Sequence, residues 1–588
     1  MGSPLFVEIL TLRVLFHLWK RRSPLQLHRG AEVHVLYGVS PLARRIASWL
    51  GWAVREVQFD LVDDVRLADG SPFEQETFLS SLSELAKKLD TQPAFRQAVR
   101  QALRSPSHQP YAEAYLTKQL GWELGASMRS IIVAGWYARS HLRGAQPTLL
   151  LRPGWLSDLT REYGLHQGVR VEPWIPATEK GMDKLFSPYP GGGVLRAIRK
   201  KGLALLRGLS ISRASSQGRM PAGTAKVAVE MYMNGTLTDR GAFTSDLFWY
   251  RKEEFPAGSL LAYFRHPKDQ PRGERAKEIR RQGIEPVDRA QMVRWGKAAS
   301  QRRSGRKIGL AAEVANHLED FYREYDFWAG FCRATGARIH VTMYKQFPEH
   351  EARHVAFHDA GGIAVAIQRS VEREPHLLRR TVVDVNFTHC RDKARVERES
   401  RSRIGQVVVT GYPFDSAFPE ARRQGAELRE RLRKQGARFI LCYLDQNEGS
   451  HRKMLGGQER IREHYRFLCE KVAANPELGL ILKPKRSDSL PARLGPVWDL
   501  VQQRVKTGRC IILGSTGVDS RYLPCAAATG ADVAINLAYA ATAGLESRLA
   551  GTRVLLLATP GVNPGIFLRF PAGSVLVHSW AELWKAVE

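Results

Sequence analysis

The sequence has few cysteines, and their spacing excludes a disulfide scaffold and a zinc site. Only six occur in 588 residues, and no two of them have the paired spacing of zinc ligands. Several lie in apolar segments that we predict to be strands or helices, which favours buried and reduced thiols. These features indicate a cytoplasmic protein.

The sequence also lacks a long uninterrupted apolar run. The apolar stretch at 5–19 is interrupted by Glu8, Arg13 and His17 and is followed by three basic residues at 20–22. It is too short and too charged to predict a spanning helix, and no small-residue cleavage site of a signal peptide follows it. We therefore predict that residues 1–27 form an amphipathic basic helix that lies on a membrane surface, the alternative being a helix that packs between domains.

Acidic residues are scarce relative to basic ones, which indicates an anionic partner. The chain has 88 Lys and Arg but 59 Asp and Glu, giving a net charge of +29. A second basic amphipathic pattern at 194–209 supports peripheral binding at the inner face of the cytoplasmic membrane. The basic stretch 272–307 is an alternative nucleic-acid surface, but Trp295 is its one aromatic residue for base stacking and no nucleic-acid-binding signature accompanies it.

The length and the 44% hydrophobic content predict a globular protein of two or three domains. Short apolar runs alternate with segments of helical period over the last 150 or so residues. In particular, Ala531–Leu537 and Arg553–Leu557 are predicted strands joined by a helix, which is the pattern of a parallel crossover. The fold class predicted is therefore α/β, built from two Rossmann-like lobes.

A loop of small residues opens the helix between these two strands. It contains Ala541, Thr542, Ala543 and Gly544, which would let an anion such as a nucleoside diphosphate approach backbone N–H groups. Glu546 follows in the predicted first turn, where a carboxylate can accept hydrogen bonds from ribose hydroxyls. The alternative is a glutamate that merely complements the helix dipole.

Basic residues follow another predicted strand of this half, Leu478–Leu482. Lys483, Lys485 and Arg486 lie at its carboxyl end, which is where ligands bind in open parallel sheets. We expect these groups to neutralise a departing diphosphate, so that no metal ion is required. No Asp-x-Asp sequence at a strand end argues for a metal.

At these residues the chain resembles the donor-binding domain of GT-B glycosyltransferases, particularly those of bacterial surface-polysaccharide biosynthesis. In that family a small-residue loop holds the donor pyrophosphate, and a glutamate five positions before a glycine holds the ribose; Glu546 and Gly551 match that spacing. The resemblance implies a nucleotide-sugar as substrate, with no cofactor.

Weaker similarity to surface-carbohydrate biosynthesis proteins extends over 339–418. It includes Lys345, the segment 361–370 and the Thr-Gly-Tyr-Pro sequence at 410–413, although Ala364 and Ile367 depart from the pattern. The segment 243–246 resembles the motif that names the PFTS polysaccharide-biosynthesis proteins, with Ala242 in the place of its proline.

The first half of the sequence contains patterns that predict the other Rossmann-like lobe. Strand, helix and strand patterns follow one another between Glu32 and Phe59, and we also predict a strand at Ile131–Val133. A charged stretch at 392–403 marks the change of lobe. The predicted division is therefore 1–27 for the amphipathic segment, 28–395 for the acceptor-side lobe with helical insertions, and 403–588 for the nucleotide-sugar-binding lobe.

The catalytic base is predicted among acidic residues of the first lobe. Asp246 and Glu349 are the candidates, with Asp239 and His34 as further ones, and a turn or cap role is the alternative for Asp246. Three histidines at 350, 354 and 358 have helical spacing, and we interpret them as a polar helix face rather than as metal ligands.

Taken together, these features predict a metal-independent GT-B-type glycosyltransferase. It would transfer a sugar from a nucleotide-sugar donor to a surface polysaccharide or a lipid-linked glycan. The alternatives are a CDP-polyol phosphotransferase of similar fold and a basic nucleic-acid-binding protein.

Overall fold

The structure is a computed structural model, and its described residues cover most of the chain. They are 4–20, 25, 27–59, 64–73, 75–151, 157–173, 226–231, 247–264, 274–287, 292, 310–343, 345, 347–372, 375–446, 458–514, 522–538, 541–558, 565–571 and 573–587. The chain divides into two compact units. The first contains Met1–Phe73, Gln119–Pro221 and Lys307–Glu313, and the second contains Glu74–Lys118, Ala222–Arg306 and Val314–Glu588.

The helices alternate with the strands along much of the chain. Their bounds are α1 Leu12–Lys20, α2 Pro41–Trp49, α3 Gln75–Thr91, α4 Pro93–Ala102, α5 Gln109–His141, α6 Ser157–His166, α7 Glu274–Arg281, α8 Leu310–Thr335, α9 Glu349–Asp359, α10 Arg391–Glu399, α11 Phe418–Arg433, α12 Gln458–Ala474, α13 Leu490–Leu494, α14 Val497–Lys506, α15 Pro524–Thr529, α16 Thr542–Leu549 and α17 Trp580–Val587. None of the helices within the described ranges is both long and apolar enough to cross a membrane.

The first unit contains a five-stranded parallel sheet. Its strands are β1 Leu5–Leu10, β2 Glu32–Val39, β3 Ala53–Glu56, β4 Thr148–Leu151 and β5 Arg170–Pro173, in the order β3-β2-β1-β4-β5. This order places β1 at the centre of the sheet. Apolar side chains of β1, α1 and α2 form one core cluster.

The prediction of one amphipathic helix over 5–19 is wrong for the first half of that segment. Leu5–Leu10 is the central strand β1, and the helix begins only at Leu12. Val14, Leu15 and Leu18 of that helix are buried in the core of the unit. A short apolar stretch fits either a strand or a helix locally, and here pairing with β2 and β4 decides.

The second unit contains a seven-stranded parallel sheet and a six-stranded parallel sheet. The strands of the seven-stranded sheet are β6 Lys226–Met231, β7 Leu260–Phe264, β8 Ile284–Val287, β9 Ala337–Thr342, β10 Ile363–Ile367, β11 Val382–Thr388 and β12 Arg403–Val409. They lie in the order β12-β11-β10-β9-β6-β7-β8. The region predicted as one lobe over 28–395 thus carries two separate sheets.

Strand β12 extends the seven-stranded sheet beyond the predicted lobe boundary. It pairs in parallel with β11 from Arg403 to Val409, although the predicted second lobe begins at residue 403. The charged stretch at 392–403 is not a linker, because it forms helix α10, which joins β11 to β12 as a crossover.

The six-stranded sheet occupies the C-terminal part of the second unit. Its strands are β13 Phe439–Leu444, β14 Leu478–Lys483, β15 Cys510–Ile512, β16 Val533–Leu537, β17 Arg553–Leu557 and β18 Leu576–Val577, in the order β15-β14-β13-β16-β17-β18. Apolar residues cover both faces of this sheet. Every pair of named strands in the three sheets is parallel, which confirms the predicted α/β fold.

Two local predictions are wrong. Ile131–Val133 is not a strand but part of α5, because an apolar run of this length is locally ambiguous and the whole of 109–141 is helical. All six cysteines are free thiols, as expected, but Cys390 is exposed because it precedes α10 in the turn after β11.

Candidate functional site

The strand order of the six-stranded sheet locates a ligand-binding edge. The direction of chain progression reverses between β13 and β16, which are neighbours in the sheet but are followed by crossovers to opposite sides. Ligands of open parallel sheets bind outside the carboxyl ends of the strands at such a switch point. Asn536, near the end of β16, is fully buried there and its Nδ2 donates to the carbonyl of Leu444 at 3.0 Å.

The predicted small-residue loop lies at this edge and begins helix α16. Ala541 precedes the helix, and Thr542, Ala543 and Gly544 form its first turn. Thr542 and Ala543 present first-turn N–H groups that have no acceptor among the described residues, so an anion could take them up.

The backbone N–H of Gly544 is already paired with a side chain of the sheet. Its N–H donates to Oδ1 of Asn536 at 3.2 Å, and so is not free for a ligand. A Cβ at this position would lie 2.9 Å from Leu556 Cδ2 and 3.2 Å from Asn536 Oδ1. Glycine is needed here because α16 packs closely against the sheet.

Glu546 lies in the second turn of α16, not in the first turn as predicted, because the helix begins at Thr542. Only 8% of the residue is exposed. Oε2 accepts a hydrogen bond from the hydroxyl of Tyr412 at 2.9 Å, and Oε1 accepts one from the backbone N–H of Cys525 at 3.2 Å. Burial raises the pKa of Glu546, and these hydrogen bonds oppose the rise.

Tyr412 belongs to the Thr-Gly-Tyr-Pro sequence after β12. Its ring stacks on Phe418 with centroids 6.0 Å apart and meets Phe414 edge-on at 5.6 Å. Burial and the neighbouring Glu546 carboxylate raise the pKa of its hydroxyl, which therefore stays protonated and donates. Tyr412 thus joins the carboxyl end of the seven-stranded sheet to helix α16.

The three predicted basic residues at the end of β14 differ in their surroundings. Lys483 is buried, and its Nζ donates to the carbonyl of Pro484 at 3.3 Å. Burial lowers the pKa of Lys483, while Cys442, Asp445 and Glu546 act in the opposite direction. Lys485 and Arg486 are exposed at the strand end. They are the cations that a diphosphate at this edge could contact directly.

A buried ion pair holds the loop that carries these cations. Arg493 Nη2 lies 2.7 Å from Oδ2 of Asp445, which follows β13, and the same Nη2 donates to the carbonyl of Arg486 at 3.3 Å. The hydroxyl of Tyr465 also donates to Asp445 Oδ2 at 3.2 Å. The loop after β14 is therefore anchored to the end of β13, next to the switch point.

The seven-stranded sheet contributes a loop to the same place. The backbone N–H of Val371, after β10, donates to the hydroxyl of Thr542 at 3.2 Å. This contact brings the carboxyl end of β10 to the first residue of α16. The carboxyl edges of the two sheets of the second unit therefore meet at Thr542 and, through Tyr412, at Glu546.

A buried network of ion pairs holds the loop after β10 in place. Lys345, which follows β9, forms an ion pair with Glu397, and Lys393 lies 2.7 Å from the same carboxylate. Lys393 also pairs with Glu372, the neighbour of Val371. Burial lowers the pKa of both lysines, and the two carboxylates balance their charge. The network therefore fixes the loop without adding net charge to the site.

The structure places only some of the catalytic candidates. Glu349 is half-buried in the first turn of α9, which follows the carboxyl end of β9. Asp239 and Asp246 lie outside the described residues, as does the whole segment 243–246. His34 is buried in β2 of the first unit, stacked on Phe6 at 4.8 Å, and burial lowers its pKa. Its contacts are those of a core residue.

The interpretation of 350, 354 and 358 as a polar helix face is wrong, since two of these histidines are buried. Nε2 of His350 lies 2.7 Å from Glu230 on β6, and Nδ1 of His354 lies 3.0 Å from the carbonyl of Val382. Helix α9 is covered on almost all sides, which its sequence period did not reveal. No group of three or more His, Cys, Asp or Glu in the described ranges is arranged to hold a metal ion.

The sequence pointed to Tyr412 only through the similarity of its Thr-Gly-Tyr-Pro segment, and it did not indicate Glu546 as its partner. Asp445 and Asn536 were not found from the sequence. Asp445 meets Arg493 through a contact distant in sequence that nothing local signals. Asn536 did carry a signal, because an amide inside an otherwise apolar strand needs buried hydrogen-bond partners.

The comparisons with known proteins give weak structural similarities. No family profile and no curated protein matches this chain. HepE from Anabaena, solved with UDP and glucose, is 10% identical with a TM-score of 0.35 over 62% of this chain and 89% of HepE. The O-GlcNAc transferase of Thermobaculum terrenum, solved as a point mutant, is 13% identical with a TM-score of 0.28 over 87% of this chain and 89% of that one.

Proposed function

We propose that this chain is a glycosyltransferase that uses a nucleotide-sugar donor and needs no bound metal. The observation that carries the proposal is the meeting of two parallel sheets at their carboxyl edges, through the hydrogen bond from Val371 to Thr542. A transferase needs a place between two lobes where donor and acceptor meet, and parallel sheets bind ligands at these edges.

The donor diphosphate would lie at the start of α16. The N–H groups of Thr542 and Ala543, which have no acceptor among the described residues, carry the positive end of the helix dipole, and Lys485 and Arg486 are exposed at the end of β14. Together these groups would neutralise the leaving diphosphate as the bond to the sugar breaks. The Glu546 carboxylate would accept hydrogen bonds from the ribose hydroxyls. It would do so through the oxygen lone pairs that are not already bonded to Tyr412 and Cys525.

The acceptor would approach from the seven-stranded sheet. Glu349 follows the carboxyl end of β9, and we propose it, together with Asp246, as the candidate base that takes the proton of the acceptor hydroxyl. The acceptor class we propose is a surface polysaccharide or a lipid-linked glycan. A CDP-polyol phosphotransferase remains the rival, since it would need the same cations.

We also propose that the protein binds reversibly to an anionic membrane surface. Phe16 and Trp19 of α1 are 50% and 43% exposed and stack on each other beside Lys20, and Trp49 at the end of α2 is 81% exposed. Exposed aromatic residues beside basic ones suit the lipid interface. The other basic segment, 194–209, lies outside the described residues.

Nucleotide binding is the experiment that tests the enzymatic proposal. The thermal stability of the full chain would be measured with UDP, GDP, CDP, CMP and dTDP. A ligand at about 100 times its Kd adds about 2.7 kcal/mol to the free energy of unfolding. We expect a selective shift that Lys485→Ala weakens and Lys506→Ala leaves unchanged, since Lys506 is exposed at the end of α14, on the amino edge of the same sheet.

The products then separate the two transferases. A glycosyltransferase releases a nucleoside diphosphate from its donor, whereas a CDP-polyol phosphotransferase releases CMP. Release of CMP alone would favour the rival, and no shift with any nucleotide would remove both proposals.

A further inference from the structure

The second unit contains a cavity that is separate from the candidate donor site. Its volume is about 390 Å³, and it is lined by Asp90, Phe95, Arg96, Val99, Arg100, Gln109, Glu113, Arg380 and Arg401. These residues come from α3, α4, α5 and the segments before β11 and β12. The cavity therefore brings together residues that are distant in sequence.

The cavity lies at the opposite edge of the seven-stranded sheet from the candidate donor site. Arg380 stands two residues before β11 and Arg401 two residues before β12, so both are at the amino ends of their strands. Tyr412 follows the carboxyl end of β12. The length of β12 separates these two ends by roughly 20 Å at about 3.3 Å per residue.

The lining has an excess of positive charge. Four arginines face two carboxylates, and both carboxylates pair with one buried arginine: Arg380 Nη1 lies 3.3 Å from Asp90 Oδ2 and its Nη2 lies 2.6 Å from Glu113 Oε2. The Nε of Arg380 is buried and has no partner within the described part of the chain. Since one arginine serves both acids, the lining keeps a surplus of two positive charges.

The remaining three arginines are exposed around the cavity. Arg96, Arg100 and Arg401 have no carboxylate within 4 Å among the residues that the structure describes. Arg96 and Arg100 are four residues apart on α4 and therefore project from the same side of the helix. The Nε of Arg96 donates to the backbone carbonyl of Asp90 at 2.6 Å, which holds this side chain beside the cavity. Its Nη groups and the guanidinium groups of Arg100 and Arg401 are the ones that an incoming anion would contact.

Arg401 is held in a backbone conformation that favours glycine. Its φ is +56°, and the N–H of Ser402 donates to the carbonyl of Glu397 at 3.0 Å, which closes the end of α10. Glycine usually occupies this position, and a left-handed conformation costs other residues about 1–2 kcal/mol. Glycine would be the more stable residue for the backbone at position 401. The chain has an arginine there instead, and its guanidinium lines the cavity.

The other lining residues give the cavity an apolar wall. Phe95 and Val99 are buried on α4 and border the cavity beside the arginines. The volume is within the range of small-molecule sites, and guanidinium groups bind phosphate through paired hydrogen bonds. The surplus of two positive charges matches one phosphomonoester dianion, and the apolar wall would cover a carbon skeleton.

We propose that this cavity binds a phosphomonoester of monosaccharide size, at a site distinct from the donor site. The proposal does not depend on the glycosyltransferase activity, because the cavity is defined by its own residues at the other edge of the sheet.

Calorimetric titration of the full chain with glucose 6-phosphate tests the proposal, with glucose, glucuronate and inorganic phosphate as comparison ligands. We expect one site that prefers glucose 6-phosphate. Arg100→Ala and Arg401→Gly should each weaken the affinity at least about tenfold, as expected for the loss of one charge-assisted contact. Arg401→Gly also removes the strain of a left-handed backbone conformation, so the Tm of this variant should not fall. Misfolding therefore cannot explain its loss of affinity.

Arg143→Gly is the matched control. Arg143 is an exposed arginine after α5 with φ of +54°, and it is not part of the cavity, so its replacement should leave the affinity unchanged. Equal affinities in Arg401→Gly and the unaltered chain would overturn the proposal, as would no binding of glucose 6-phosphate. A loss caused equally by Lys485→Ala would place the ligand at the donor site and would also refute it. Preference for glucuronate would refute the phosphate assignment.

Discussion

The hydrogen bond from Tyr412 to Glu546 predicts a measurable loss of stability in Tyr412→Phe. The substitution removes only the hydroxyl that donates to Glu546 Oε2 at 2.9 Å. The phenyl ring would keep its contacts with Phe414 and Phe418, so no cavity forms. The change therefore isolates one hydrogen bond to a buried carboxylate.

The expected loss is about 1.5–3 kcal/mol, the range for a hydrogen bond to a charged group. At about 2.1 cal/mol/K per residue, the entropy of unfolding of the second unit, with its roughly 400 residues, is about 0.85 kcal/mol/K, so calorimetry should show a decrease in Tm of about 2–4 °C at pH 8. Tyr443→Phe is the matched control, because the hydroxyl of Tyr443 lies at the same distance, 2.9 Å, from Nδ1 of His464. Burial lowers the pKa of His464 to about 4, so this partner is neutral and the expected loss is only about 0.5–1.5 kcal/mol.

The two variants should also differ in their dependence on pH. Burial raises the folded-state pKa of Glu546 above its ordinary 4.5, so stability from this group is complete below about pH 4.5 and is lost as pH rises through the folded-state pKa. The Tyr412 hydroxyl offsets part of that loss by stabilising the ionised carboxylate. The effect of Tyr412→Phe should therefore grow as pH rises above about 4.5 through the folded-state pKa of Glu546, while that of Tyr443→Phe stays constant above the pKa of His464. A pH-independent Tyr412 effect no larger than the control would refute this account.

Three further predictions concern the site and the surface. Lys485→Ala should chiefly lower kcat, with a smaller change in the affinity for the nucleotide, because the cation acts on the leaving diphosphate; an unchanged rate would contradict this role. Asp445→Asn should lower the free energy of unfolding by about 3–5 kcal/mol in a urea titration, because it leaves the charge of Arg493 buried without its partner. Glu420→Gln, which breaks an exposed pair on α11, should cost less than about 1 kcal/mol, and equal losses would argue against the buried pair. Vesicle sedimentation should show binding to anionic lipid that Trp49→Ser weakens and high salt reverses; retention that salt does not change would exclude an electrostatic contribution.

Local patterns were sufficient for the strands of the second unit that consist mostly of apolar residues. The runs that become β13, β14, β16 and β17 are buried on both faces, so their composition alone identifies them. The helical segments between these strands indicated that the strands are joined by crossovers and are parallel. The carboxyl-end position of Lys485 and Arg486 follows from the same pattern, since residues after a strand lie at its end.

The sequence by itself thus determined the parallel α/β class and the edge at which a ligand would bind, because both depend on short-range periodicity. Only the tertiary structure decided what the buried polar groups contact. Glu546 meets Tyr412 across 134 residues of sequence, and the cavity at Arg380 and Arg401 combines several separate segments. The same holds for β1, whose stretch became a strand through pairing with β2 and β4. Such contacts form between segments distant in sequence. A local pattern of residues therefore does not determine which distant side chain or strand a residue contacts.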